Sequence, residues 1–263
     1  MLWDPGEYRR FGAERSRPFY ELLGRVGATA PRFVADVGCG PGELTAELCR
    51  RWPGASVLGV DSSPEMIEAA EAVRARLDGD AGERLRFEVA DAADWEPPEA
   101  PDVIISNAML QWLPGHEQVV LRWARLLPAG GWLAFQIPGN NKAATHALIR
   151  EVAATPRWRA RLGELGLNRQ ADDPADYLDL LGREGLTVDA WETTYLHVLD
   201  GEDPVLRWYK GTGLRPVIAA LSDDEQEEFL AEYAVLLRKQ YPRHPYGTVL
   251  PFRRVFVVAH RNG

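Results

Sequence analysis

Two cysteines in 263 residues, Cys39 and Cys49, are too few for a disulfide scaffold and point to a reducing compartment, the cytoplasm. No apolar run approaches the roughly 20 residues of a membrane helix, so no membrane partner is expected. The opening Met1-Leu2-Trp3-Asp4-Pro5-Gly6-Glu7 has neither a basic stretch nor a following apolar segment, which argues against an export signal. Basic charge is scarce: 30 Lys and Arg against 39 acids give a net charge of −9, the wrong sign for a nucleic-acid face. The five histidines, taken without cysteine or carboxylate at ligand spacing, predict no metal. Ser62, Ser63 and Ser106 lack a nucleophile-elbow pattern. No glycine loop ends in G-K-[ST], and a dinucleotide G-x-G-x-x-G fails at Glu43, which disfavours ATP and NAD.

What is present is a core-forming composition, 46% apolar and 26% charged, in a length that suits one domain of residues 1–263. After Glu232 there are no acids, while Arg238, Lys239, Arg243, Arg253, Arg254 and Arg261 contribute +6, leaving −15 on the first 232 residues. Two explanations stand for this tail: charge balance against the acidic stretch 223–228, or a cationic pocket for a small anion. Strand and helix periods alternate from Arg32 onward. Strands are expected at 32–37, 56–60, 85–89, 102–106 and 132–137, with helices between them, which is the pattern of a parallel doubly wound sheet. The second half breaks that rhythm. We expect an N-terminal helical lid over 1–31, a cofactor-binding core over 32–138 and helical cap insertions at 139–173 and 200–250. The last strands of the sheet fall at 187–199 and 252–260.

The first strand runs into Asp36-Val37-Gly38-Cys39-Gly40-Pro41-Gly42. Glycines at G-x-G-x-G spacing let backbone approach a ligand and aim the next helix N-terminus at it. Asp36 suits an ammonium and would repel a phosphate. Asp61 closes the second strand, where a carboxylate can accept two ribose hydroxyls or act as a simple turn acid. A nucleoside joined to an amino acid satisfies both.

On these residues, with Asp61-Ser62-Ser63-Pro64-Glu65-Met66 and Asp91-Ala92, residues 32–138 resemble the class I S-adenosylmethionine-dependent methyltransferases. The resemblance implies an α/β, Rossmann-like, mostly parallel seven-stranded sheet with a helical substrate cap. It also implies S-adenosylmethionine as cofactor, S-adenosylhomocysteine as product and no metal. Its cofactor residues carry over to Asp36, Gly38, Gly40, Gly42, Asp61, Ser62, Met66, Asp91, Ala92 and Asn107. Asp91 would meet the adenine amino group, Met66 the adenine face and Ser106-Asn107-Ala108 the methionine portion.

A narrower resemblance, to bacterial trans-aconitate methyltransferases, covers nearly the whole chain. It rests on Trp3-Asp4-Pro5, Tyr8, residues 13–18, Leu110-Gln111-Trp112-Leu113-Pro114, residues 191–195, Thr212-Gly213-Leu214-Arg215-Pro216 and residues 254–259. It implies esterification of one carboxylate of trans-aconitate to a monomethyl ester; another small acid metabolite is the alternative. A longer connection at Leu77–Glu83 and the doubled Arg253-Arg254 depart from the pattern.

The chemistry is compatible with that assignment. A carboxylate with a reference pKa near ~4 is ionised and nucleophilic at neutral pH, so no general base is required. Charge vanishes as anion and sulfonium become neutral, so neutral donors should hold the reacting oxygen and arginines the spectators. Gln111 and Trp112 are the expected catalytic pair, though Trp112 also fits a core position. Tyr8, Arg15, Arg17, Tyr195, Arg215 and Arg254 are the expected substrate contacts for an anionic polycarboxylate. Plain alternatives remain for Arg15 and Arg17 on a solvated helix, for Arg215 on the surface, and for Tyr195 with His197 packed along a strand. Strand alternation sends Arg253 and Arg254 to opposite faces, and Arg254 is the choice. A monomer is expected. Two other classes stand against the enzyme: an NAD-dependent oxidoreductase, and a cofactor-sensing protein without turnover.

Overall fold

The computed structural model describes residues 12–163, 165 and 171–263, with the backbone alone for 12–15. Continuous apolar runs become central strands because both of their faces are covered. β1 (Phe33–Val37) is buried at every position, and β4 (Val103–Asn107) at all but the last. β2 (Ser56–Asp61), β3 (Leu85–Val89) and β5 (Trp132–Pro138) complete the parallel set, in register from Phe33↔Ser56 to Asn107↔Gln136. The order across the sheet is β3-β2-β1-β4-β5-β8-β6, where β6 is Leu186–Leu199 and β8 is Gly247–Arg261. β8 runs opposite to β5, since Arg261 N–H donates to Gly131 O and Gly139 N–H to Arg253 O. Beyond the seven expected strands, β7 (Arg243–His244) pairs with β8 by two residues.

By contact the described chain divides into two compact units. The sheet unit comprises Arg15–Pro138, Ala171–Thr193 and Val255–Gly263; the helical unit takes the rest. The sheet unit carries α1 (Gly12–Leu23) from Arg15 onward, α2 (Glu43–Arg51), α3 (Pro64–Arg74), α4 (Ala81–Arg84), α5 (His116–Leu126) and α8 (Pro174–Gly182). Its core joins Ile104, Trp123, Phe135, Tyr177 and Val257.

The helical unit holds α6 (Ala144–Ala153), α7 (Arg159–Leu162), α9 (Pro204–Lys210), α10 (Arg215–Ala220) and α11 (Asp223–Gln240) around a second core of Trp158, Trp208, Tyr209, Phe229 and Tyr233. Trp158 Nε1 donates to Glu232, and Arg157 pairs with Glu228 and Glu232, so part of the acidic stretch is balanced inside this unit. α11 begins with a reciprocal capping box between Ser222 and Glu225.

Three boundaries differ from the sequence expectation. The helical run after residue 203 is three helices, broken at Gly211-Thr212-Gly213 and at Leu221-Ser222. β8 starts at Gly247 rather than 252, its continuity masked by Pro251, which lacks a ladder N–H. The long connection at Leu77–Glu83 ends in the single turn of α4. No described helix is long and apolar enough to cross a membrane.

Candidate functional site

The C-terminal ends of β1, β2 and β4 are brought level by parallel register, Asp36 opposite Gly59 on one side and Ile105 on the other. There the chain turns through Gly38, Gly40 and Gly42, with φ of 83°, 55° and 85°. These values lie in the left-handed region, which costs other residues roughly 1–2 kcal/mol each. The three glycines have different neighbours. A Cβ at Gly38 would meet the Met109 side chain at 2.3 Å, and one at Gly42 would meet Ala70 Cβ at 2.7 Å and Phe87 at 2.8 Å. A Cβ at Gly40 would meet nothing within 4 Å. Gly38 and Gly42 are therefore demanded by packing as well as by backbone, while Gly40 borders open space.

Two carboxylates flank that space. Asp36 is 3% exposed and accepts a 2.7 Å bond from Thr45 Oγ1 on α2. Burial pushes its carboxyl up to about 7; the Thr45 bond opposes this and the charge of Asp61 adds to it. Asp61 accepts from Gly40 N–H through one oxygen and from Ser63 N–H through the other, each at 3.0 Å. Those bonds use two of the roughly four acceptor positions of a carboxylate, leaving as many as a vicinal diol requires. Asn107 Oδ1 is buried with no hydrogen-bond partner among the described residues, an acceptor whose desolvation is uncompensated. A ligand bringing a cation, a diol and a further donor meets matching groups here. A phosphate would meet two carboxylates.

The remaining expected cofactor residues lie on two neighbouring turns. Ser63 caps α3, its Oγ accepting from Met66 N–H at 3.3 Å; Met66 is buried and Ser62 exposed. Asp91 is exposed and opens a tight turn by accepting from Ala93 N–H at 2.8 Å. Ala92 is buried in the core of the sheet unit. Arg122 on α5 clasps this turn, donating to the carbonyls of Ala92 (2.8 Å) and Ala93. Sequence reasoning missed Arg122 and Thr45, because an arginine in a helix and a threonine in a first turn carry no motif signal.

After β4, Ala108 sits at φ 55°, a strained value for alanine. Gln111 Nε2 donates to the Ala108 carbonyl at 2.5 Å, so one of its N–H groups holds this turn. Its Oε1 is buried without a hydrogen-bond partner among the described residues. Trp112 is not core filler: it is 38% exposed, while Leu110 of the same 3₁₀ turn enters the core.

The expected substrate contacts are distributed between the units. Tyr8 lies outside the described residues, and of Arg15 only the backbone is described, within α1. Arg17 Nε donates to Glu21 at 2.8 Å on an exposed face of α1. In the helical unit Arg254 is 4% exposed, its guanidinium 5.0 Å from the Phe252 ring centre. Arg253 is half-buried, with its backbone N–H and carbonyl both bonded by the Asn140 side chain. Tyr195 and His197 share one face of β6, both buried, and His197 stacks on Trp208 at 4.8 Å. Arg215 begins α10, and burial lowers its pKa.

Residues 34–131 match the family described as a methyltransferase domain. Over 262 residues the chain is 50% identical to a trans-aconitate 2-methyltransferase of Rhodococcus jostii, covering 98% of this chain and 99% of that one. Relatives with the same designation from Streptomyces avermitilis and Mycobacterium tuberculosis are 49% and 44% identical. Among solved structures, the YcgJ protein of Bacillus subtilis superposes with a TM-score of 0.62 at 13% identity, covering 94% of this chain and 99% of that one. A Haemonchus contortus phosphoethanolamine N-methyltransferase bound to S-adenosylhomocysteine gives 0.55 at 16% identity, covering 94% of this chain and 53% of that one.

Proposed function

The chain belongs to the trans-aconitate 2-methyltransferase family, and on that premise we propose that it transfers one methyl group from S-adenosylmethionine to a carboxylate of trans-aconitate. A monomethyl ester and S-adenosylhomocysteine are the products. Identity over 98% of the chain supports this most strongly, because it extends well beyond the methyltransferase domain at 34–131.

S-adenosylmethionine, when bound, supplies a methyl group already activated by its sulfonium charge. Asp36 holds the amino-acid ammonium, Asp61 the ribose hydroxyls, and Asn107 takes a donor from the methionine end. Gly38, Gly40 and Gly42 bring backbone close to the ligand. Met66 and Ala92 line the adenine, with Ser62 beside it and Asp91 at its amino group; Arg122 positions the turn that carries Asp91. Replacing Gly40 with alanine is expected to lower the melting free energy by no more than about 2 kcal/mol. The same change should weaken calorimetric S-adenosylhomocysteine binding at least tenfold, while Gly42→Ala should fail in both measurements.

The substrate carboxylate arrives ionised, so the protein has no proton to remove. Its task is to orient one oxygen and exclude water, with proximity worth up to ~7–11 kcal/mol. Gln111, through its second N–H, and the Trp112 indole serve as neutral donors. Arg215 and Arg254 hold the charges of the spectator carboxylates; Tyr8, Arg15, Arg17 and Tyr195 complete the proposed set. A monomeric, cytoplasmic enzyme without nucleic-acid or membrane partners belongs to the same proposal.

The deciding experiment is a methyl-transfer screen over trans-aconitate, cis-aconitate, citrate, itaconate and long-chain acids. We expect ester formation, with stoichiometric S-adenosylhomocysteine release, to be fastest on trans-aconitate. Faster turnover of a long-chain monocarboxylic acid would replace this substrate with the alternative.

A further inference from the structure

Among the residues that the transfer chemistry does not use, the sheet unit gathers a histidine and two carboxylates. His116 is the first residue of α5 and is 4% exposed; Glu117 follows it and is half-buried. Asp172 is also half-buried, one residue before Asp173, the cap of α8. One donor atom from each of the three lies within 4.8 Å of the others. We propose that His116, Glu117 and Asp172 bind one first-row divalent cation of the zinc or manganese kind, fastening the start of α8 to the first turn of α5.

Three observations support the site. The His116 Nδ1 to Glu117 Oε1 separation is 3.8 Å, too long for a hydrogen bond. It matches two donors on a shared ion, which at ~2.1 Å each sit about 3.4–4 Å apart. The other ring nitrogen, Nε2, is 2.6 Å from Tyr177 Oη. Metal-binding imidazoles almost always have such an oxygen on the second nitrogen, fixing the ring. Tyr177 is itself immobilised: it is fully buried, edge-on to Phe135 at 5.2 Å, and its hydroxyl oxygen accepts from Asp172 N–H at 3.3 Å. One nitrogen and two carboxylate donors suit zinc or manganese, whereas magnesium takes oxygen donors.

The test is isothermal titration of the full-length, chelator-treated protein with zinc, manganese and magnesium chlorides, together with melting curves. We expect saturable binding of one zinc or manganese ion per chain, a raised Tm, and weaker binding of magnesium. Asp172→Asn and Glu117→Gln, both partly exposed and nearly isosteric, should each weaken binding by roughly tenfold or more, as should Tyr177→Phe through the ring it orients. Absence of saturable binding at millimolar metal would overturn the proposal. So would an affinity unchanged in both carboxamide variants, which would assign the uptake to other groups on the chain.

Discussion

Arg254→Leu is expected to raise KM for trans-aconitate about a hundredfold or more, with a much smaller rise for a monocarboxylic acid. Arg254 is an arginine with only 4% of its surface exposed, held over the Phe252 ring in the helical unit. Truncating one partner of a desolvated charge pair typically loses 2–5 kcal/mol, a factor of about thirty to several thousand. Since the proposed contact is to a spectator carboxylate, it is present equally in ground and transition states, so the loss should fall on KM rather than kcat. Arg254→Lys separates charge from geometry. It retains the positive charge but cannot make two parallel bonds, and should lie between the wild type and leucine. Equal KM changes for di- or tricarboxylates and for monocarboxylates would remove Arg254 from the substrate site. Arg253 provides the contrast: it is half-buried, with its backbone clasped by Asn140 and an Nη1 contact to Gly139 O at 3.4 Å.

The features legible in the sequence are those that short-range physics determines. The buried runs 33–37 and 103–107 could hardly be anything but central strands, and the carboxylates and glycines at strand ends follow from where parallel strands stop. Strand alternation likewise separated Arg254 from Arg253. Features that depend on pairing across long separations were not legible. His116 and Glu117 come beside Asp172 only through folding, across more than fifty residues, and no local spacing announces that cluster. Trp112 fitted a core position by size, yet its neighbour Leu110 takes the buried place. Gln111 was read as a substrate donor; the strained turn at Ala108 uses one of its N–H groups first. Composition could announce neither event, because both are decided by which backbone group lies within reach.

Asp36→Asn should produce opposite effects on stability and on cofactor binding, each with its own pH signature. In the cofactor-free protein the Asp36 carboxyl is pushed up to about 7 by burial, far above its value of 3.8 in a model peptide. A group whose folded pKa is raised favours the native state below the unfolded pKa and loses that contribution as pH rises through the folded one. The loss therefore develops between about pH 4 and pH 7 and is complete by pH 8. Asparagine resembles the protonated form and can still accept from Thr45 Oγ1. The variant without cofactor should thus match wild type near pH 4 and exceed it at pH 8, by an amount on the order of a few kcal/mol in urea unfolding. Cofactor affinity runs the other way. Holding an ammonium requires the ionised carboxylate, so wild-type binding of S-adenosylhomocysteine should weaken by up to about tenfold per unit as pH falls below 7. The variant should bind weakly throughout, roughly 10- to 100-fold below wild type at pH 8, with little dependence on pH. Near pH 5.5 the two proteins should converge. A wild-type affinity that stays flat from pH 5.5 to 8.5 would show that Asp36 does not carry the ammonium, and the stability difference would then mark it as a buried acid serving only the Thr45 contact.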